Sequence, residues 1–195
     1  MKKPVAALFL VSLCFAIPCH GEEKEEPDEV EKALRQVYAT YKAGDNPEVL
    51  SQLRALVKLV EGKAAEAVGE LLPAEVDDWK GESMKREDLT IAGGGISIAR
   101  TYVSGEKQIT VKVIKDAPVL KPMIELLENK DLLALGNRET HRISGETAVM
   151  EGERKLQIVL DQRIYVELVA NEGADGKDLV SLARKLDLRA LAKLE

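Results

Sequence analysis

The chain has 195 residues, 34 acidic against 28 basic side chains for a net charge of −6, and 45% apolar and 32% charged residues, which is a globular profile. An acidic chain with no run of lysine or arginine is poorly suited to nucleic acid or to an anionic membrane surface. Two cysteines, Cys14 and Cys19, and two histidines, His20 and His141, leave almost nothing for thiol chemistry, a multi-histidine zinc site or a histidine relay.

Residues 1–21 read as a secretory signal peptide. Met1-Lys2-Lys3 is basic, Pro4 to Ile17 is a nearly unbroken apolar run, and Pro18 breaks it before Cys19-His20-Gly21 and the acidic Glu22-Glu23. The apolar run is too short to serve as a spanning helix. Cleavage after Gly21 removes both cysteines, His20 and both phenylalanines, so the exported chain keeps one histidine, His141, no thiol and no transmembrane segment. The expected location is the periplasm or the medium. The alternative is a lipid anchor at Cys19, where Pro18 fits poorly as the preceding residue. Residues 22–27 are expected to be a flexible acidic lead.

A helical hairpin is expected over residues 28–73. Val30, Ala33, Leu34, Val37, Tyr38 and Tyr41 recur at helical spacing, and Gly44 stops the first helix. Asn46 is placed to cap the second, with Pro47 at its first position. Its stripe runs through Val49, Leu50, Leu53, Leu56, Val57, Val60, Ala64, Ala67, Val68 and Leu71 to Pro73. A connection this short folds the helices back antiparallel. The paired stripes are expected to dock as one interface on the rest of the protein, since a monomer does not normally leave such a patch in water.

Residues 74–83 read as a turn-rich connector holding Trp79, the only tryptophan. From Met84 the period falls to two. A strand with Leu89 and Ile91 before Gly93-Gly94-Gly95 is followed by a hairpin of alternating segments, Ile96–Val103 and Gln108–Val113, around Ser104-Gly105. Asp116-Ala117-Pro118 opens a helix, with a short turn of helix at Leu132–Leu135. Four strands are expected at Arg138–Ile143, Glu146–Met150, Arg154–Leu160 and Arg163–Ala170, then a closing helix opened by Asp175-Gly176. The order βββαββββα over residues 84–195 predicts an α+β domain with a mostly antiparallel sheet.

No motif supplies a cofactor or metal site. The three glycines are contiguous and lead into a strand, whereas a phosphate loop needs spaced glycines opening a helix, so they read as a bulged or flexible strand connection. Asn171–Asp175 lacks the ligand spacing of a calcium loop. In the strand around His141, Glu139, His141 and Ile143 share a face, and the Glu–His neighbours read as a structural pair without an identifiable nucleophile. Trp79 reads as a pin between connector and core, with ligand stacking as the alternative. Tyr38 and Tyr41 lie on the apolar side of the first helix and serve to dock the hairpin. Trp79, Tyr38, Tyr41 and His141 are therefore the candidate ligand or interface residues, and no residue is assigned to catalysis.

Lys42-Ala43-Gly44-Asp45 with Leu53 and Leu56 downstream resembles the turn of a single tetratricopeptide-type repeat, with no second copy at the 34-residue period. Over nearly all of residues 22–195 the layout resembles an uncharacterised family of exported bacterial proteins. The matching positions are Ala43-Gly44-Asp45, Leu71-Leu72-Pro73, Trp79, Gly93-Gly94-Gly95, Arg100-Thr101-Tyr102 and Leu186-Asp187-Leu188. The family's tryptophan usually follows a glycine, whereas Asp78 precedes it here. The resemblance implies a helical hairpin followed by an antiparallel α+β domain, and it carries no activity or site residues.

The expected role is a non-enzymatic cell-envelope module that binds an envelope protein or a small ligand. One rival is a carboxylate-dependent hydrolase of envelope material, which needs two acids converging in a cleft with at least one perturbed pKa. The other is an assembly accessory acting through the hairpin. An exposed apolar face on the hairpin favours this last reading, and a deep apolar pocket in the sheet domain favours ligand binding.

Overall fold

A computed structural model describes residues 27–136 and 138–193. The expected signal peptide, the Cys19 anchor and nearly all of the acidic lead lie outside the described residues.

The hairpin forms as its caps dictate. The Asp28 carboxylate accepts from the Glu31 N–H at 2.8 Å and opens α1 (Glu29–Ala43), which Gly44 ends at φ 81°. The next cap is Asp45, not Asn46. Its carboxylate accepts from the Glu48 N–H at 3.2 Å, and α2 (Asn46–Glu70) begins one residue earlier than its proline suggests. At 25 residues, α2 is about 37 Å long. Only its last turns reach the sheet, burying Ala65, Val68 and Gly69, with Leu72 just beyond.

The strands are β1 (Glu75–Val76), β2 (Trp79–Gly81), β3 (Lys85–Glu87), β4 (Ile96–Ser104), β5 (Lys107–Lys115), β6 (Thr140–Ile143), β7 (Glu146–Glu151), β8 (Lys155–Leu160) and β9 (Ile164–Ala170). Every pairing is antiparallel, in the order β1-β2-β4-β5-β9-β8-β7-β6, with β3 also on β4. Two meanders thus meet at a central β5–β9 pair. The connector is itself strand: β1 and β2 extend the sheet at one edge, too short to show a period of two. Helices α3 (Lys121–Glu128) and α4 (Lys130–Leu135) link the meanders. The closing helix is two, α5 (Gly176–Lys185) and α6 (Leu188–Ala192), because Asp187 caps a new start by accepting from the Ala190 N–H.

Alternation splits the sheet into two faces. Ile98, Tyr102, Ile109, Val111, Val113, Ile158, Val166 and Leu168 point to one side and pack with Leu179, Leu182, Ala183, Leu188 and Leu191 of α5 and α6. On the other face Ile114, Val149, Val159 and Tyr165 meet Leu120, Ile124, Leu127 and Leu133. Turns use the left-handed region where two-residue hairpins demand it. Ser144 and Gly145, at φ 54° and 103°, join β6 to β7 in this way, while Asp161 and Gln162, at φ 50° and 54°, open a three-residue turn from β8 to β9 in which the Arg163 N–H donates to the Leu160 carbonyl. Gly95, at φ 108°, brings the chain against Ala117, where a Cβ would stand 2.9 Å from the Ala117 Cα. The glycine run is thus a tight turn into β4, and Leu89 and Ile91 are not in a strand: β3 ends at Glu87, and Thr90–Ala92 form a single 3-10 turn that Gly93 ends at φ 96°.

The second face carries a buried polar chain. The Gln157 amide donates to the Tyr165 hydroxyl at 2.7 Å, and that hydroxyl donates to Glu167 at 2.9 Å. Burial, reinforced by the Glu167 charge, raises the Tyr165 pKa, and burial also raises that of Tyr102. The fold thus favours both phenols in the neutral form. Their contribution is complete below the ordinary tyrosine value of 10 and is lost as pH rises above it. A denaturant-midpoint series from pH 8 to 12 is expected to be flat with respect to these two groups below pH 10. Above pH 10 it should fall, by at most about 1.4 kcal/mol per pH unit for each tyrosine.

Candidate functional site

The hairpin is a two-helix plate. Lys63 on α2 donates to Asp28 at 3.0 Å, which holds the start of α1 beside the far part of α2 and makes the pair antiparallel. Val30, Ala33 and Val37 face Val49, Leu56 and Leu59 along the seam, and these residues are half-buried. At about 100° per residue, Leu34, Tyr38 and Tyr41 lie roughly a quarter turn from the seam on α1. Leu50, Leu53, Val57 and Val60 lie a similar turn from it on α2. Since the helices run in opposite directions, both rows emerge on the same side of the plate. The opposite side presents Glu29, Lys32, Gln36 and Gln52.

The expected docking of this apolar side on the sheet domain does not occur. All seven residues of the two rows are between 42% and 62% exposed. The reason is space. The apolar face of the sheet is already covered by α5 and α6, so α2 finds room only for Ala65, Val68 and Leu72. Tyr38 and Tyr41 therefore sit on an open surface, and Lys42 stands at its rim with its ammonium 5.5 Å from the Tyr38 ring centre.

Polar ties and one aromatic hold the plate to the sheet. Arg100 donates to the Leu72 carbonyl at 2.5 Å, and the Tyr102 hydroxyl donates to the Pro73 carbonyl at 3.0 Å. Glu61 accepts the Gly95 N–H at 2.9 Å, and Lys58 pairs with Asp88 at 3.1 Å. Trp79 is buried in the same cluster as Ala65, Val68 and Leu72. Its ring, at the start of the edge strand β2, is 8% exposed and closed to a stacking ligand.

His141 lies elsewhere, at the β6 edge. Its Nε2 stands 3.2 Å from Glu139, and both line a cleft of about 610 Å³ with Met150, Glu153, Val180, Ser181 and Arg184. Ser181 is the hydroxyl that reading the sequence missed, because α5 brings it here from forty residues away. It makes no hydrogen bond with His141, as a base-activated nucleophile would. The cleft is a groove whose lining mixes charges of both signs with Met150 and Val180.

Asp116, Glu87, Asp88, Asp28 and Asp175 are all held below their usual range. Arg163 holds Asp116 through two hydrogen bonds and Lys112 holds Glu87, while the Thr90 hydroxyl and N–H lower Asp88 to about 2. Helix-start N–H groups act on Asp28 and Asp175. A general acid needs the opposite shift. Among the described residues no three histidine, cysteine, aspartate or glutamate side chains converge to hold a metal ion. No described helix is long and apolar enough to cross a membrane. No family model, curated protein or solved structure matches the chain.

Proposed function

We propose that this chain is a non-enzymatic interaction module of the cell envelope, an assembly accessory that works through the apolar face of its helical hairpin. One observation carries the reading: seven large apolar side chains share one side of a two-helix plate and are left in water. A patch of that size on a folded chain marks a contact surface. The lowered carboxyls, each occupied by a cation, a hydroxyl or a helix start, argue against the hydrolase alternative. Export rests on the basic start, the apolar run and the small residues before Glu22.

The test is retention from envelope extract on immobilised protein, wild type against Leu53→Asp. Wild type is expected to retain a protein, either another chain or its own copy, that the variant releases, with the far-ultraviolet circular dichroism of the two unchanged. Equal retention by both, or none by either, overturns the reading.

A further inference from the structure

We infer that the occupant of the hairpin face is a second copy of this chain, so that two hairpins close face to face into a four-helix bundle. The inference rests on the hairpin face being an interaction surface and names its partner.

Three features favour a second copy. The first is area. The exposed parts of the Leu34–Tyr38–Tyr41 row and the Leu53–Val57–Val60 row amount to roughly 600 Å² on one chain, so two copies that cover these rows completely remove about 1,200 Å². That is the lower bound of interfaces that hold specific complexes. The second is chemistry. Neither row contains a charged residue and Lys42 stands over Tyr38 only at the rim, so the centre of the face matches a surface that is equally apolar. The third is symmetry. The face is built from two antiparallel helices with apolar residues at three- and four-residue steps, the spacing that interdigitates in antiparallel bundles. A two-fold axis lying between the two plates and parallel to them sets each row against an apolar row of the other copy, which is the self-complementarity an isologous dimer requires. Charges of both signs, Glu31 and Arg35 on α1 and Arg54 on α2, remain outside the face as a polar rim.

Sedimentation equilibrium on protein isolated from its native host, from sub-micromolar to 100 µM, reads this directly. The wild type is expected to move from one to two chain masses over that range. Leu53→Asp with Val57→Asp should raise the dimer dissociation constant at least 100-fold while leaving the circular dichroism of the sheet domain intact. If the aspartates disturb α2, Tyr38→Ser with Tyr41→Ser, on exposed positions of α1, is expected to weaken the dimer in the same direction. A wild type that stays monomeric at 100 µM overturns the inference, as does a dimer that ignores both double variants. Sedimentation of the monomer with phosphatidylcholine vesicles likewise overturns it and identifies a lipid surface as the occupant. In the monomeric case, loss of retention in Leu53→Asp against envelope extract would keep the hairpin as an interaction surface for another protein. No retention by either form would retire both readings.

Discussion

Leu182→Ala is expected to lower the unfolding free energy by about 2–5 kcal/mol, whereas Leu53→Ala, in protein dilute enough to be monomeric, is expected to change it by less than about 1 kcal/mol. Both remove the same atoms from a helix, so propensity does not separate them. Their surroundings do. Leu182 is fully enclosed between α5 and the sheet, and its loss leaves a cavity with the contacts of a close-packed core forfeited. Leu53 is 42% exposed, and water already covers much of the side chain. Urea titrations of the two variants check the contrast. A loss at Leu53 comparable to that at Leu182 would mean that the chain covers its own hairpin.

Trp79→Ala is the second large effect, expected at about 3–5 kcal/mol. The indole opens β2, seven residues beyond Leu72 in the chain, and belongs to the core cluster that also holds Ala65, Val68 and Leu72, so its removal is expected to loosen first the sheet edge that follows the hairpin. Amide exchange should therefore quicken in β1 and β2 before it does in β5 and β9. The polar ties from Arg100 and Tyr102 to the Leu72 and Pro73 carbonyls remain in the variant and keep the hairpin tethered. Uniformly faster exchange across sheet and hairpin alike would place Trp79 in the general core and not at that edge.

Periodicity made the strands legible. A period of two is sustained over the nine residues each of β4 and β5, and the turns at Gly105, Gly145 and Asp161-Gln162 bound segments that the hydrophobic pattern had already marked. Where the pattern has no length, it is silent. Glu75–Val76 and Trp79–Gly81 are too short to alternate, and they are strands only because β4 offers them an edge. The split between α5 and α6 was marked by a capping aspartate, Asp187, inside what reads as one amphipathic run.

The hairpin shows a different limit. The stripe from Leu34 to Tyr41 and from Leu50 to Val60 was plain, but a hydrophobic period says that a face is apolar and not what covers it. Whether the sheet had room depended on α5 and α6, which lie more than a hundred residues further along the chain. The His141 cleft was hidden in the same way. Glu139 could be read two residues away, but Ser181 and Arg184 arrive only when α5 folds over β6.

Hydroxyl-radical footprinting of Tyr38, Tyr41 and Leu53 over a dilution series tests the open hairpin face most directly. In dilute protein the three residues are expected to react as exposed side chains, while buried Tyr102 and Leu182 stay protected at every concentration. Protection of the three should then rise with protein concentration as second copies close over them. Protection of Tyr38, Tyr41 and Leu53 that is already complete at the lowest concentration would contradict the account, because the face would then be covered by the chain itself.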